Sequence, residues 1–174
     1  MELAIKTQLM DQHRLVPTAV SERLMIIRIP VIRDRSLALI SVYAPTLTSE
    51  DDFKGSLYNL LDRTIPTAPA HDKLVKCNAN DQLLLDLSTE HELVITNSLF
   101  RVLTRQKTTW KHPRSKHWHI LDYILTRSRG RQDVRITRSM SDTHECWTYH
   151  RLLISCLNTK IRRPPKRVSA KIPF

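Results

Sequence analysis

Two apolar stretches of strand length dominate the first third of the chain. Residues 24–29 and 37–43 are rich in Ile, Leu and Val, and the charged residues 33–35 separate them. Branched apolar runs of this length, divided by a short polar stretch, favour strands over helices. The pattern therefore predicts a β-hairpin that ends at Ala44 and Pro45.

A helix is predicted shortly after this hairpin. Ser49 precedes acidic residues at 50–52. A hydroxyl oxygen at this point can cap the first turn, and acidic side chains are favoured at the positive end of the helix dipole. The apolar face of this helix would consist of Phe53, Leu57, Leu60 and Leu61.

The rest of the chain alternates short apolar runs with polar segments. Two prolines mark residues 64–70 as a connector, and the run at 71–75 is too short to assign as a strand. A second helix is predicted at 81–90. Further strands are predicted at residues 93–96, 108–110, 119–125, 133–137 and 152–157.

These elements indicate one α/β domain over residues 1–158. Lys, Arg and Pro dominate residues 160–167, and so little apolar surface cannot offset the entropy cost of ordering the chain. We expect residues 159–174 to form a disordered basic tail. The tail could act as a linker or as a nuclear localisation signal.

The charge of the chain points to a polyanionic partner. Of its 174 residues, 28 are Lys or Arg and 17 are Asp or Glu, which gives a net charge of +11. Residues 1–100 hold 10 basic and 13 acidic side chains, whereas residues 101–174 hold 18 and 4. A nucleic acid is the expected partner, and it should contact the second half of the chain.

Composition excludes several other classes of protein. No stretch approaches the roughly 18 apolar residues of a membrane helix. Two glycines are too few for a Walker A loop or a Rossmann fingerprint. Three cysteines cannot all pair, and the first residues lack the order of a signal peptide, so we expect an intracellular protein of the nucleus or cytoplasm.

Three polar side chains stand where an apolar core would not place them. Tyr43 ends a strand, Asp122 interrupts the apolar run 119–125, and His150 precedes the last strand. A buried carboxylate is costly unless a metal, a cation or several donors meet it, so Asp122 is a candidate site residue and a possible metal ligand. A structural aspartate, a packed tyrosine and a surface histidine are the alternatives.

Longer strings of the sequence carry a family resemblance. The similarity begins near residue 4 and is densest at residues 77–78, 90–97, 112–119 and 131–135. In these strings the chain resembles the endonuclease/exonuclease/phosphatase family of the DNase I-like fold, in the form found in LINE retrotransposons and in proteins of the craniofacial development protein 2 type.

The resemblance implies both a fold and a site. The fold is a sandwich of two packed sheets flanked by helices, of which this chain would hold the C-terminal portion. The family hydrolyses DNA phosphodiesters with Mg²⁺ where the sheets meet. By resemblance, Tyr43 and Thr109 contact the phosphate. Asp122 helps to orient the metal or the catalytic residues, and His150 polarises the phosphoryl oxygen.

The chain departs from the family at its acidic positions. The metal-binding Glu of the family lies upstream of the matched region. The Gly-Asp-x-Asn motif has no counterpart, because Leu74 and Val75 run directly into Lys76. Tyr149 replaces the Asp that precedes the family's terminal His, and a phenol with a pKa of about 10 is not an anion at neutral pH.

These losses predict a degenerate endonuclease domain that neither binds Mg²⁺ nor cleaves DNA. A non-catalytic, basic nucleic-acid-binding module is the alternative. A chain that never folds cooperatively is a third possibility, because deletion of a strand end exposes the neighbouring sheet edges.

Other residues offer weaker replacements for the lost acids. Asp142 and His144 lie in a sequence similar to the family's ending, but they precede its usual landmark. A zinc site could use His144, Cys146 and His150, with His117 or His119 as further ligands, although no paired zinc motif is present. Asn78, Asn80 and Asp81 are more typical of a helix cap than of a catalytic motif.

Basic residues surround two tryptophans in the second half of the chain. Cationic side chains bind the phosphate backbone, and exposed rings can stack on bases. The residues predicted to contact nucleic acid are Arg105, Lys107, Lys111, Arg114, Lys116 and Trp118. A solvated basic face without a dedicated ligand is the alternative.

Overall fold

The computed structural model describes residues 5–33, 35–45, 48–68, 73–77, 81–140 and 149–163, with the backbone alone at 73–77 and 81–82. The helices in these ranges are α1 Thr7–His13, α2 Asp51–Thr64 and α3 Asp81–Glu90. The strands are β1 Thr18–Ser21, β2 Leu24–Val31, β3 Arg35–Val42, β4 Lys73–Cys77, β5 Leu93–Ile95, β6 Trp110–Lys111, β7 Trp118–His119, β8 Ile124–Arg127, β9 Val134–Ser139 and β10 Leu153–Leu157. Among the described helices, none has the length and apolar character needed to cross a membrane.

The largest sheet has six strands in the order β1-β2-β3-β4-β8-β5. β2 and β3 form the predicted hairpin, paired antiparallel from Leu24 opposite Val42 to Val31 opposite Arg35. β4 is parallel to β3, so the chain between them must cross over, and α2 lies in this connection. β8 pairs antiparallel with both β4 and β5.

Successive side chains of a strand point to opposite sides of the sheet. Apolar side chains are buried on both sides of this one. The face toward α2 and α3 buries Leu24, Ile40, Leu61, Leu84 and Leu125, each at most 1% exposed. On the opposite face, Ile27, Ile29 and Val31 pack against α1 and against Leu153 and Leu157 of β10. Full burial of one such side chain contributes about 1.5–3 kcal/mol. The two apolar faces therefore fix which side meets α2 and α3 and which side meets α1.

The segment 149–157 connects the remaining strands into a second layer. β6 pairs with β7, and β9 pairs with β10. His150 bridges Trp110 of β6, and the backbone N–H of Lys111 donates to the carbonyl of Tyr149 at 2.8 Å. Residues 149–151 thus lie beside β6, and residues 153–157 lie beside β9. The outcome is the α/β arrangement of two packed sheets that the sequence predicted.

Two predicted elements differ in detail from the structure. The N-cap residue of α2 is Glu50, without a side-chain cap, rather than Ser49. Phe53 is 44% exposed, so it does not belong to the buried face of α2. The strand predicted at 119–125 is split between β7 and β8, because residues 120–123 belong to neither strand.

The beginning of the predicted tail is paired with the large sheet. The carbonyl of Lys160 accepts the N–H of Ile32 at 3.1 Å, and the N–H of Arg162 donates to the carbonyl of Pro30 at 3.0 Å. These bonds lie beside the end of β2, so the chain does not separate from the domain at residue 159. Residues 164–174 lie outside the described ranges.

Candidate active site and nucleic-acid interface

Three neighbouring strands bring candidate residues to one end of the large sheet. Ser41 of β3 lies beside Cys77 of β4, and Cys77 lies opposite Ile124 of β8. β3 and β4 end at this row, whereas the antiparallel β8 begins there. Tyr43 follows Ser41 by two residues, and Asp122 precedes Ile124 by two residues. Tyr43 and Asp122 therefore lie at the same end of the sheet, which we call the site end.

Thr109 holds the segment that carries Asp122. Its Oγ1 accepts the backbone N–H groups of Leu121 and Asp122, each at 3.0 Å. Because these N–H groups bond to a side chain rather than to a neighbouring strand, the predicted strand 119–125 breaks here. Thr109 is 0% exposed. It supports the site from within the domain, and the phosphate contact that the resemblance implies stays a prediction.

Asn97 fastens the same segment from the end of β5. Its Nδ2 donates to the carbonyl of Asp122 and its Oδ1 accepts the N–H of Ile124, both at 3.0 Å. Asn97 lies in the string 90–97 that carries the resemblance. Sequence reasoning missed its role, because that role depends on contacts with residues more than 20 positions away.

The side chains of Asp122 and His150 contact each other at the site end. Nδ1 of His150 lies 3.2 Å from Oδ2 of Asp122, and the two side chains are 49% and 22% exposed, respectively. A carboxylate that accepts the Nδ1 proton fixes the tautomer and the orientation of an imidazole. The contact can therefore orient the imidazole of a half-exposed histidine at the site end.

Trp110 packs beside this pair among three histidine rings. Its ring centroid lies 5.4, 5.9 and 6.4 Å from those of His112, His119 and His150. Trp110 is half-buried, so its ring stabilises the arrangement rather than offering an open face to a base. By contrast, Tyr43 is 55% exposed, as a ligand-contacting residue must be.

The described residues do not fit a magnesium site at Asp122. Mg²⁺ takes oxygen ligands, and carboxylates are the usual protein donors. Within the described ranges, the one group of three potential ligands consists of Asp62, Glu90 and His91, on α2 and at the end of α3. The carboxylate of Asp122 contacts His150 instead. Within the described ranges, Asp122 thus belongs to no group of three potential metal ligands.

Most of the alternative replacements for the lost acids cannot be located in the structure. His117, His119 and His150 form no metal-binding group in the part of the chain that the structure describes. Asn78, Asn80, Asp142, His144 and Cys146 lie outside the described residues.

The residues predicted to contact nucleic acid lie on or near the β6–β7 hairpin. Those that are exposed are Arg105, Lys107, Arg114, Lys116 and Trp118, and Lys111 is half-buried. We call these six residues the hairpin surface. At the tip, Nδ1 of His112 accepts the N–H groups of Arg114 and Ser115 at 3.2 and 3.1 Å. This side-chain contact closes the turn that carries the two cationic residues of the tip.

Arg151 stabilises the hairpin surface and was not among the predicted residues. Its guanidinium carbon lies 3.5 Å from the ring centroid of Trp118. Its Nη1 donates to the carbonyl of Arg105 and to Oγ1 of Thr108, both at 2.8 Å. Nζ of Lys111 lies 5.8 Å from the same tryptophan ring. Trp118 is thus held by cations while it stays 37% exposed.

Comparison with known sequences identifies relatives of part of the chain. No protein-family model matches it. The chain is 28% identical over 155 residues to craniofacial development protein 2 of Bos taurus. This match covers 75% of the chain and 26% of that protein. The protein of the same name from Tragulus javanicus is also 28% identical and is covered to 27%. The chain spans about a quarter of the length of these curated relatives.

Comparison of structures identifies the fold. The endonuclease domain of TRAS1, a telomere-specific non-LTR retrotransposon, superposes with a TM-score of 0.59 at 13% identity, covering 83% of this chain and 69% of that one. The Xenopus laevis APE2 catalytic domain gives 0.57 at 16% identity, with 80% and 56% covered. D. rerio TDP2, solved with a single strand DNA product, gives 0.58 at 14% identity, with 82% and 64% covered.

These comparisons confirm the resemblance seen in the sequence. The chain is similar in sequence to craniofacial development protein 2, and it has the fold of DNase I-like endonuclease domains. Each of those structures extends beyond the part that this chain matches. The fold is therefore a partial one, as the sequence predicted.

Proposed function

We propose that this chain is a degenerate endonuclease-like domain that binds nucleic acid without hydrolysing it. One observation carries the proposal. At the site end, Asp122 is paired with His150 and joins no further potential metal ligands among the described residues, while the nearby hairpin carries exposed cations.

The chemistry of phosphodiester hydrolysis supports the absence of cleavage. Attack by water requires a metal held by carboxylates, a base for the water, and groups that stabilise the developing negative charge. Two internal positions at which the family carries acidic residues lack them here. Val75 leads directly into Lys76 without the Gly-Asp-x-Asn motif, and Tyr149 stands in place of the Asp before His150. Loss of such groups typically lowers a rate by orders of magnitude each.

Charge and surface chemistry support the binding of nucleic acid. Residues 101–174 hold 18 basic and 4 acidic side chains. The hairpin surface presents several of these cations around the exposed ring of Trp118. Among proteins of the same fold, TDP2 was solved with single strand DNA. We infer that cations of this chain bind phosphates and that Trp118 can stack on a base.

Titration of a short labelled duplex at two salt concentrations tests the proposal. For Z neutralised phosphates, log Kobs falls with log salt at a slope of about −0.9Z. Binding at about 50 mM salt that weakens by orders of magnitude at about 200 mM salt supports the proposal. Absence of binding at low salt, or binding that is indifferent to salt, would overturn it.

A further inference from the structure

Arg23 lies between two exposed aromatic rings at the site end. Its guanidinium carbon is 5.3 Å from the ring centroid of Tyr43 and 5.0 Å from that of Phe53. The two aromatic residues are 55% and 44% exposed. The backbone N–H of Tyr43 donates to the carbonyl of Arg23 at 3.0 Å. Arg23 therefore adjoins a candidate ligand-contacting residue, although neither the sequence pattern nor the resemblance assigned it a role.

Three separate elements hold this side chain. Arg23 lies in the turn between β1 and β2, where its N–H donates to Oγ of Ser21 at 3.2 Å. Tyr43 follows β3, and Phe53 belongs to the first turn of α2. Two rings restrict the rotamers of a long, flexible side chain. Less conformational entropy is therefore lost when its guanidinium binds a ligand.

The guanidinium has hydrogen-bonding capacity that the described residues leave unused. Nε of Arg23 is buried and has no hydrogen-bond partner. Its ion-pair partner is Glu22, whose Oε1 lies 3.7 Å from Nε, beyond hydrogen-bond distance. The Glu22 side chain is 81% exposed, so solvent and salt screen this pair. Because Nε is buried while the side chain is 28% exposed, a bound anion would contact the guanidinium through its Nη groups.

We infer that Arg23 binds a phosphate of the nucleic-acid backbone between the rings of Tyr43 and Phe53. The planar guanidinium matches two phosphate oxygens at once, which an ammonium group cannot do. The inference rests on the proposed function and adds a second contact region to it. A bound strand would contact the β1–β2 turn as well as the hairpin surface.

Replacement of Arg23 can be compared with a matched change elsewhere in the same hairpin. Arg33 is exposed and lies in the β2–β3 turn, at the opposite end of β2 from Arg23. Arg23→Gln and Arg33→Gln each remove one positive charge, so both variants lose the same long-range attraction between the chain and DNA. We expect Arg23→Gln to weaken duplex binding about 10-fold and to reduce the salt slope by about 0.9. Arg33→Gln should have little effect on either.

Two further variants keep the inference testable if Arg23→Gln does not fold. Arg23→Lys keeps the charge and loses the planar pair of donors, so its affinity should fall between those of Arg23→Gln and the unaltered chain. Glu22→Gln removes the exposed, screened carboxylate beside Arg23 and should change the affinity by less than about 2-fold. Thermal unfolding followed by circular dichroism establishes that each variant is folded.

The outcomes separate this inference from the proposed function. If folded Arg23→Gln matches Arg33→Gln in affinity and salt slope, or if Arg23→Lys binds as tightly as the unaltered chain, the guanidinium of Arg23 does not bind a phosphate. Salt-dependent binding by the unaltered chain would still support the proposed function in that case. If the unaltered chain shows no such binding, both conclusions fall together.

Discussion

Nδ1 of His150 lies 3.2 Å from Oδ2 of Asp122, although 28 residues separate them along the chain. Thr109 and Asn97 bond the backbone of Asp122 and so hold its carboxylate at this place. The contact orients the imidazole, whereas hydrolysis also requires a metal held by carboxylates and an activated water molecule. The pair alone therefore does not indicate hydrolysis.

The buried hydroxyl of Thr109 should contribute measurably to stability. Thr109→Val leaves the N–H groups of Leu121 and Asp122 without their acceptor. We predict that the free energy of unfolding falls by about 1–3 kcal/mol, which is the usual cost of an unsatisfied buried donor. Urea unfolding followed by circular dichroism measures the change.

Thr109→Ser is the matched control, because it keeps the oxygen and removes a methyl group. Its loss should be about 0.8 kcal/mol. Equal losses for the two variants would show that Oγ1 does not hold the Asp122 segment. A broad, non-cooperative transition in the unaltered chain would show instead that the domain does not fold as a unit.

Removal of the negative charge of Asp122 should favour nucleic-acid binding. Asp122→Asn eliminates a carboxylate that repels phosphate, so we predict that duplex affinity rises about 2- to 5-fold. Asp11→Asn in α1 removes the same charge from an exposed position and is the control. Fluorescence anisotropy with and without Mg²⁺ measures both. A loss of affinity on Asp122→Asn that occurs only with Mg²⁺ would show that Asp122 binds the metal.

The tip of the β6–β7 hairpin should contact the phosphate backbone. The double variant Arg114→Gln with Lys116→Gln removes both tip cations, so the salt slope for duplex binding should fall by about 1.8. The control is Arg33→Gln with Arg63→Gln, since both of these arginines are exposed and lie outside the hairpin surface. If the two double variants have equal slopes, net charge governs binding rather than the hairpin.

Restoration of the family's acid at position 149 should not restore hydrolysis. The backbone of Tyr149 is held by Lys111, and its side chain is 51% exposed. Tyr149→Asp would add one carboxylate beside His150 but would not supply the missing Asp-x-Asn motif. We predict no metal-dependent nicking of DNA by this variant. Even modest activity would show that the internal deletion has been compensated.

Elements that depend on local sequence were the most predictable part of the fold. The β2–β3 hairpin and α3 occur where the apolar pattern placed them. β4 covers part of a run that was too short to assign, because its pairing partners lie far away in the sequence. α1 was not predicted, since Leu9 and Met10 are its only apolar residues and none of its seven residues is buried.

The candidate site residues that the sequence could single out are those that conflict with their surroundings. Asp122 interrupts an apolar run and His150 precedes a strand, so both could be singled out from the sequence. Thr109 and Asn97 are polar residues of ordinary appearance, and their roles arise from bonds between distant segments. Arg23 could not be recognised either, because Tyr43 and Phe53 surround it only in the folded chain.

Incubation of the purified chain with supercoiled plasmid and Mg²⁺ at low salt tests binding and cleavage in one gel. Asp122→Ala, prepared in parallel, is the control for contaminating nucleases. The predicted result is a retarded plasmid that stays supercoiled, with no more nicked product than Asp122→Ala gives. Metal-dependent nicking by the unaltered chain that Asp122→Ala abolishes would contradict the account.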